Sequence, residues 1–131
     1  MPASNYVKNN SLDFWVRNQS IAQPSSVWVA LYSTNPTASD TGTEVSGGGY
    51  ARQQVNFTSP TVSGDVSIVQ NTSEIVFPQL TASAGVAAYV GLRDASTGGN
   101  LLFYEALPTA ITLAQGYTPY WAAGDLKVTQ K

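Results

Sequence analysis

VWVALYSTNPTASDTGTEVSGGGYARQ, residues 27–53, sets the reading of the whole chain. An apolar run, Val27 to Tyr32, ends in Ser33-Thr34-Asn35-Pro36, a turn signal. A polar loop rich in Thr, Ser, Asp and Gly follows, and Gly47-Gly48-Gly49 leads into Tyr50-Ala51-Arg52. In an extended chain Val27, Val29 and Leu31 share one face, and Trp28, Ala30 and Tyr32 share the other. Both faces are apolar, so this strand must be covered on both sides, by the chain's own N-terminal helix or by a partner.

Turn signals recur after this strand. Tyr50 to Phe57 alternates weakly. Val66–Val69 and Ser73–Phe77 read as a pair joined through Gln70-Asn71-Thr72, with Pro78 ending the second. Val86 to Arg93 alternates, Asp94-Ala95-Ser96-Thr97-Gly98-Gly99-Asn100 is a strong turn, and Leu101 to Ala106 returns. Ala110–Leu113, Tyr117–Ala122 and Leu126–Gln130 complete roughly eight short strands. This pattern predicts a mainly β protein: an antiparallel β-sandwich or jelly-roll-like barrel.

One helix precedes the strands, read over residues 4–22, with Ser4 or Asn5 as its cap and Gln23-Pro24 as its end. Leu12, Trp15 and Val16 recur at i, i+3 and i+4 and form its apolar stripe. Terminal helices more often dock on their own domain than on a neighbour, and docking at home is the expectation. The 131 residues suit one domain, with 1–26 as a helical segment and 27–131 as the β-sandwich.

Composition narrows the function. Only 11% of residues are charged, against about 25% in average soluble proteins. Small polar side chains take their place, and ordering a Ser or Thr at a contact costs less entropy than ordering a Lys or Glu. The six basic residues are scattered and the net charge is −2, so no nucleic-acid footprint is drawn. The chain has no cysteine and no histidine, which removes thiolate chemistry, disulfides, and the commonest general base and metal ligand. Met1-Pro-Ala-Ser-Asn lacks the pattern of a signal peptide, and no apolar run reaches the ~20 residues of a membrane helix. The expectation is a chain made in a cytoplasm that acts there or leaves by cell lysis, without cofactor, metal, nucleic-acid or membrane partner.

Each chemical motif has a simpler reading. Gly47–Gly49 lacks the Lys-Ser or Lys-Thr and the helix that a phosphate loop requires, so it reads as a turn. Asp40, Glu44, Asp65 and Asp94 fall in or beside loops without the spacing of a calcium loop. Asp94 and Glu105 flank a hairpin, but a pair of carboxylates has little specificity as a glycosidase signal. The serines have no histidine partner. The chain reads as a non-enzyme. Aromatics in Gly116-Tyr117-Thr118-Pro119-Tyr120-Trp121 either stack on sugars, sit at a subunit contact or belong to the core rim.

Several segments together resemble a known family: residues 27–36, Thr41 to Arg52, Ile75-Val76-Phe77-Pro78, Val90 to Leu102 and Ala122-Ala123-Gly124-Asp125-Leu126. In this order, over nearly the whole chain, they resemble small tailed-bacteriophage virion proteins of tail-fibre-like or capsid-decoration type. The resemblance implies a structural part of the virion, working with major capsid or tail proteins. The first expectation is a decoration (cement) protein forming dimers or trimers; a tail-fibre or tail-associated protein, or a carbohydrate-binding module for host recognition, is the alternative. The expected contact residues are Leu12 and Trp15 on the helix, Thr34, Asn35 and Tyr50 around the loop, and Tyr117, Tyr120 and Trp121.

Overall fold

A computed structural model describes residues 1–131. One helix, α1 (Asn5–Trp15), precedes nine strands. These are β1 (Val27–Tyr32), β2 (Gln53–Val55), β3 (Thr61–Ser63), β4 (Val66–Gln70), β5 (Ile75–Val76), β6 (Val86–Arg93), β7 (Leu101–Thr112), β8 (Tyr120–Trp121) and β9 (Lys127–Gln130). They form antiparallel sheets in the orders β2-β1-β6-β7, β3-β4-β9 and β5-β8. The mainly β reading with one short helix is what the structure has.

The core lies between the largest sheet and the two smaller ones, a sandwich-like packing. Val29 and Leu31 of β1, Val90 and Leu92 of β6 and Leu102 of β7 meet Ile75 of β5, Val128 of β9, and Phe77, Leu80, Leu113 and Leu126 from the connections. The other face of β1 carries Ala30 and Tyr32, which pack with Leu101 between half-buried Tyr89 and Tyr104. Ala30, Tyr32 and Leu101 are all buried within the single chain, with no second copy present. The Tyr32 ring lies across Gly91, where an added Cβ would sit 2.8 Å from Tyr32 Cε2, and Arg93 Nη1–H donates to its hydroxyl at 2.9 Å.

Strand pairing departs from the sequence reading. Val66–Val69 does not pair with Ser73–Phe77. Instead β4 lies between β3 and β9, and β5 pairs with β8. Asn71 separates the two. Its buried amide accepts the Leu126 N–H and donates to the Ser73 and Ala122 carbonyls, so the chain turns away where a hairpin was expected. The strand expected at Ala110–Leu113 is the far end of β7, which passes an irregularity opposite Ala87/Tyr89 and stays paired with β6 to Thr112.

The helix is also shorter than expected. Ser4 caps it, with Oγ accepting the Val7 N–H, and Trp15 ends it. Both Val16 and Arg17 N–H groups turn back to the Leu12 carbonyl, and Asn18 takes a left-handed φ of 61° that stops helical propagation. Ahead of it, Ala3 pairs with Phe103, Tyr104 N–H donates to Pro2 O and Ser4 N–H to Leu102 O, so the N-terminus extends the β7 edge and fixes where α1 begins.

Candidate functional site

Two features stand out of this frame: a cleft beside β1 and the outward face of α1. The cleft has a volume of about 530 Å³ and is walled by Trp28, Glu44, Tyr50 and Arg52, with Ser96 and Thr97 opposite. Its walls come from β1, from the end of the loop that follows β1, and from the β6–β7 turn.

Two arginines fasten those pieces. Arg52 grips Glu44 with Nη2–Oε1 at 2.7 Å and Nε–Oε2 at 2.8 Å, and its Nη1–H donates to the Ala95 and Gly98 carbonyls. Arg93 pairs with Asp40 through two bonds of 2.8 Å and donates to the Gly98 and Gly99 carbonyls. Both guanidiniums therefore join the 37–52 loop region to the same turn. That turn is braced from inside by Asp94, which accepts the Asn100 backbone and side-chain N–H groups. Paired bonds to a planar guanidinium fix geometry as well as charge.

The electrostatics follow from burial and pairing. Burial works against the Glu44 carboxylate, but hydrogen bonds from Arg52 and Tyr50 outweigh it and hold its pKa below the ordinary value. Burial similarly opposes the charge on Arg93, yet the bonds to Asp40 and Tyr32 raise its pKa. The bond to Glu44 raises that of Arg52. Burial pushes the Tyr50 and Tyr32 phenols up. Near neutrality these shifts favour the charged forms of Glu44, Arg52 and Arg93 and the neutral forms of the two phenols.

The expected contact residues divide. Tyr50 is half-buried: it stacks on Phe77, donates to Glu44 and accepts the Leu31 N–H. Trp121 also packs toward Phe77, while Tyr117 and Tyr120 remain exposed. Thr34 Oγ1 accepts the Thr43 N–H and Asn35 Oδ1 accepts the Thr37 N–H, so both shape the loop that bears them. Gly47–Gly49 is a turn with positive φ throughout. A Cβ on Gly48 would sit 2.5 Å from Ala82 O, so the backbone approach there excludes larger residues.

The helix docks on its own domain through its first turn, but not by the expected stripe. Tyr6 and Val7 pack against the core, whereas Leu12 is 60%, Trp15 78% and Val16 75% exposed. The predicted stripe points away from the domain. Phe14, meeting Trp15 edge-on, and Ile21 flank it and are exposed as well.

The model of the family described as Podophage GP4 fiber I protein gp80 matches residues 2–129. The chain belongs to that family. It is thus a tailed-phage virion structural protein of tail-fibre type, and its place is in the virion with other virion proteins. No curated protein matches the chain. No helix is long and apolar enough to cross a membrane. Sequence reasoning missed Trp28, Arg52 and Arg93 as site-building residues; the partners of the two arginines lie up to 61 residues away, and no local spacing signals them.

Proposed function

We propose that the chain is a non-enzymatic component of a podophage tail fibre or its attachment, held to other virion proteins through the outward face of α1. The family match over residues 2–129 carries the reading and favours a fibre position over decoration of the shell. The clamp residues support a structural role, since their charges are spent on holding loops.

The surface around Leu12, Trp15 and Val16 supports the docking element. Fully burying a large apolar side chain is worth roughly 1.5–3 kcal/mol. Three such residues at one contact supply several kcal/mol before association costs, a modest affinity that repeated copies along a particle amplify. The short tie between Ala3 and Phe103 anchors the helix base, so the contact is borne on a fixed element.

Particles assembled with Trp15→Ser and Leu12→Ser chains provide the test. Loss of the variant from purified virions, with its fold intact in solution, is expected. Normal incorporation would remove α1 as the docking element.

A further inference from the structure

We propose that residues 1–15 are an exchangeable arm, which in the assembled state docks on a second copy of the chain at the surface it covers in its own. The arm is fastened at its base. Ala3 pairs with Phe103, Ser4 N–H donates to Leu102 O at 2.9 Å, and Tyr104 N–H donates to Pro2 O at 3.2 Å. Ser4, 1% exposed, also donates its hydroxyl to Leu101 O, and Asn5 N–H donates to Ala38 O at 2.8 Å. Beyond the base, Tyr6 and Val7 pack against the core, and no residue of α1 is fully buried.

The receiving surface needs an arm. Without one, the Leu102 carbonyl and the Tyr104 N–H stand unpaired on the β7 edge, a template for strand addition. That edge does not distinguish its own arm from an identical one, because reciprocal exchange keeps every contact. The two arrangements differ in the linker. Residues 14–25 are all exposed, and the hydrogen bonds made by residues 16–25 stay within residues 12–19. No hydrogen bond ties this linker to the β-domain. Docking at home requires a reversal after Trp15, where two N–H groups share the Leu12 carbonyl and Asn18 takes its φ of 61°. An extended linker dispenses with that reversal, and Pro24 favours extension at Gln23. Fully extended, residues 16–26 reach roughly 36–40 Å, enough to cross to a neighbour. Copies repeated on one particle supply the high local concentration that exchange needs. Only that last point rests on the fibre reading, and the two fail separately: the purified chain tests exchange, and particles test location.

The chain has no cysteine, so introduced ones report a single contact. Differently tagged full chains are co-expressed, one with Asn5→Cys and the other with Ser39→Cys. Asn5 Nδ2 lies 3.2 Å from Ser39 Oγ, and both residues are exposed, so the fold tolerates the changes. Ala3→Cys with Phe103→Cys is the second combination. The bonds flanking that pair make it a non-hydrogen-bonded one, with Cα atoms about 4.5 Å apart and within disulfide reach. Ser39→Cys with Ser63→Cys, on exposed β3, measures random collision. After oxidation, a covalent heterodimer well above the collision level in at least one arm combination is expected, with a two-chain mass by light scattering before oxidation. Heterodimer at the collision level in both combinations, or a one-chain mass, overturns the exchange.

Discussion

Arg93 and Asp40 meet in a two-bond ion pair, Nη1–Oδ1 and Nη2–Oδ2 both at 2.8 Å, across 53 residues of chain. The pair decides how the loop after β1 is held. Asp40 sits at a left-handed φ of 58°, a conformation costing a non-glycine residue roughly 1 kcal/mol that its partner helps to offset. The Arg93 side chain is 9% exposed and that of Asp40 36%, so the pair lies between a buried and a surface bridge.

Asp40→Ala leaves the Arg93 guanidinium with one charge partner fewer in a largely buried setting. A loss of about 2 kcal/mol is expected, below the full cost of breaking a buried pair because solvent reaches Asp40. Asp13→Ala, which removes the exposed helix pair with Arg17, should cost under ~0.5 kcal/mol. Urea denaturation of both variants measures the contrast; equal losses would contradict it.

The second clamp predicts an acid limb. The Glu44 carboxylate titrates below its ordinary value of 4.5 in the folded protein, so the folded state binds its proton less readily than the unfolded chain. Its contribution is complete above about pH 4.5 and is lost as pH falls through the lower folded value. Asp94, held down by Asn100 against its own desolvation, adds in the same direction below its ordinary 3.8. Tyr32 and Tyr50 act at the other end: their raised values favour the neutral phenols, so stability declines as pH rises above about 10. Melting temperatures from pH 2 to 11 should trace both limbs, with Glu44→Gln shallower on the acid side.

Asn71→Ala should be among the costliest polar substitutions in the chain. The 1% exposed residue uses its side chain to satisfy the Leu126 N–H and the Ser73 and Ala122 carbonyls. Orphaning buried groups costs about 1–3 kcal/mol. Near 2 kcal/mol, the expected fall in melting temperature is roughly 5–10 °C. A fall of a degree or less would show that the three contacts do not hold the turn.

The outward helix stripe predicts a separation of stability from assembly. Trp15→Ser removes an exposed side chain, so the melting temperature should stay within about the equivalent of 0.5 kcal/mol, while co-purification with particles drops. A large stability loss instead would mean that Trp15 packs on its own domain in solution.

The sequence revealed those parts of the fold with local signatures. β1 was legible because an apolar run on both faces bounded by Asn35-Pro36 admits few other readings, and the 94–100 turn because Gly98-Gly99 follows an alternating strand. Pairing partners were not: nothing local indicates that Gln70 belongs opposite Lys127, or that Asn71 spends its amide on a segment 55 residues on. Periodicity found the stripe of Leu12, Trp15 and Val16 but not its direction, because the packing is made by Tyr6 and Val7 in the first turn, which lie outside that stripe. The cleft escaped notice for the same reason as the clamps. Trp28 read as strand core, Glu44 as a loop acid and Arg52 as a scattered cation, and only the folded chain brings them together.

Location on the particle tests the account most directly. Cryo-electron microscopy of purified virions, with gold-labelled antibody against this chain and mass spectrometry of the same preparation, should find it present and at the tail fibres. Its absence from the particles, or its presence only on the capsid shell, would contradict the fibre assignment.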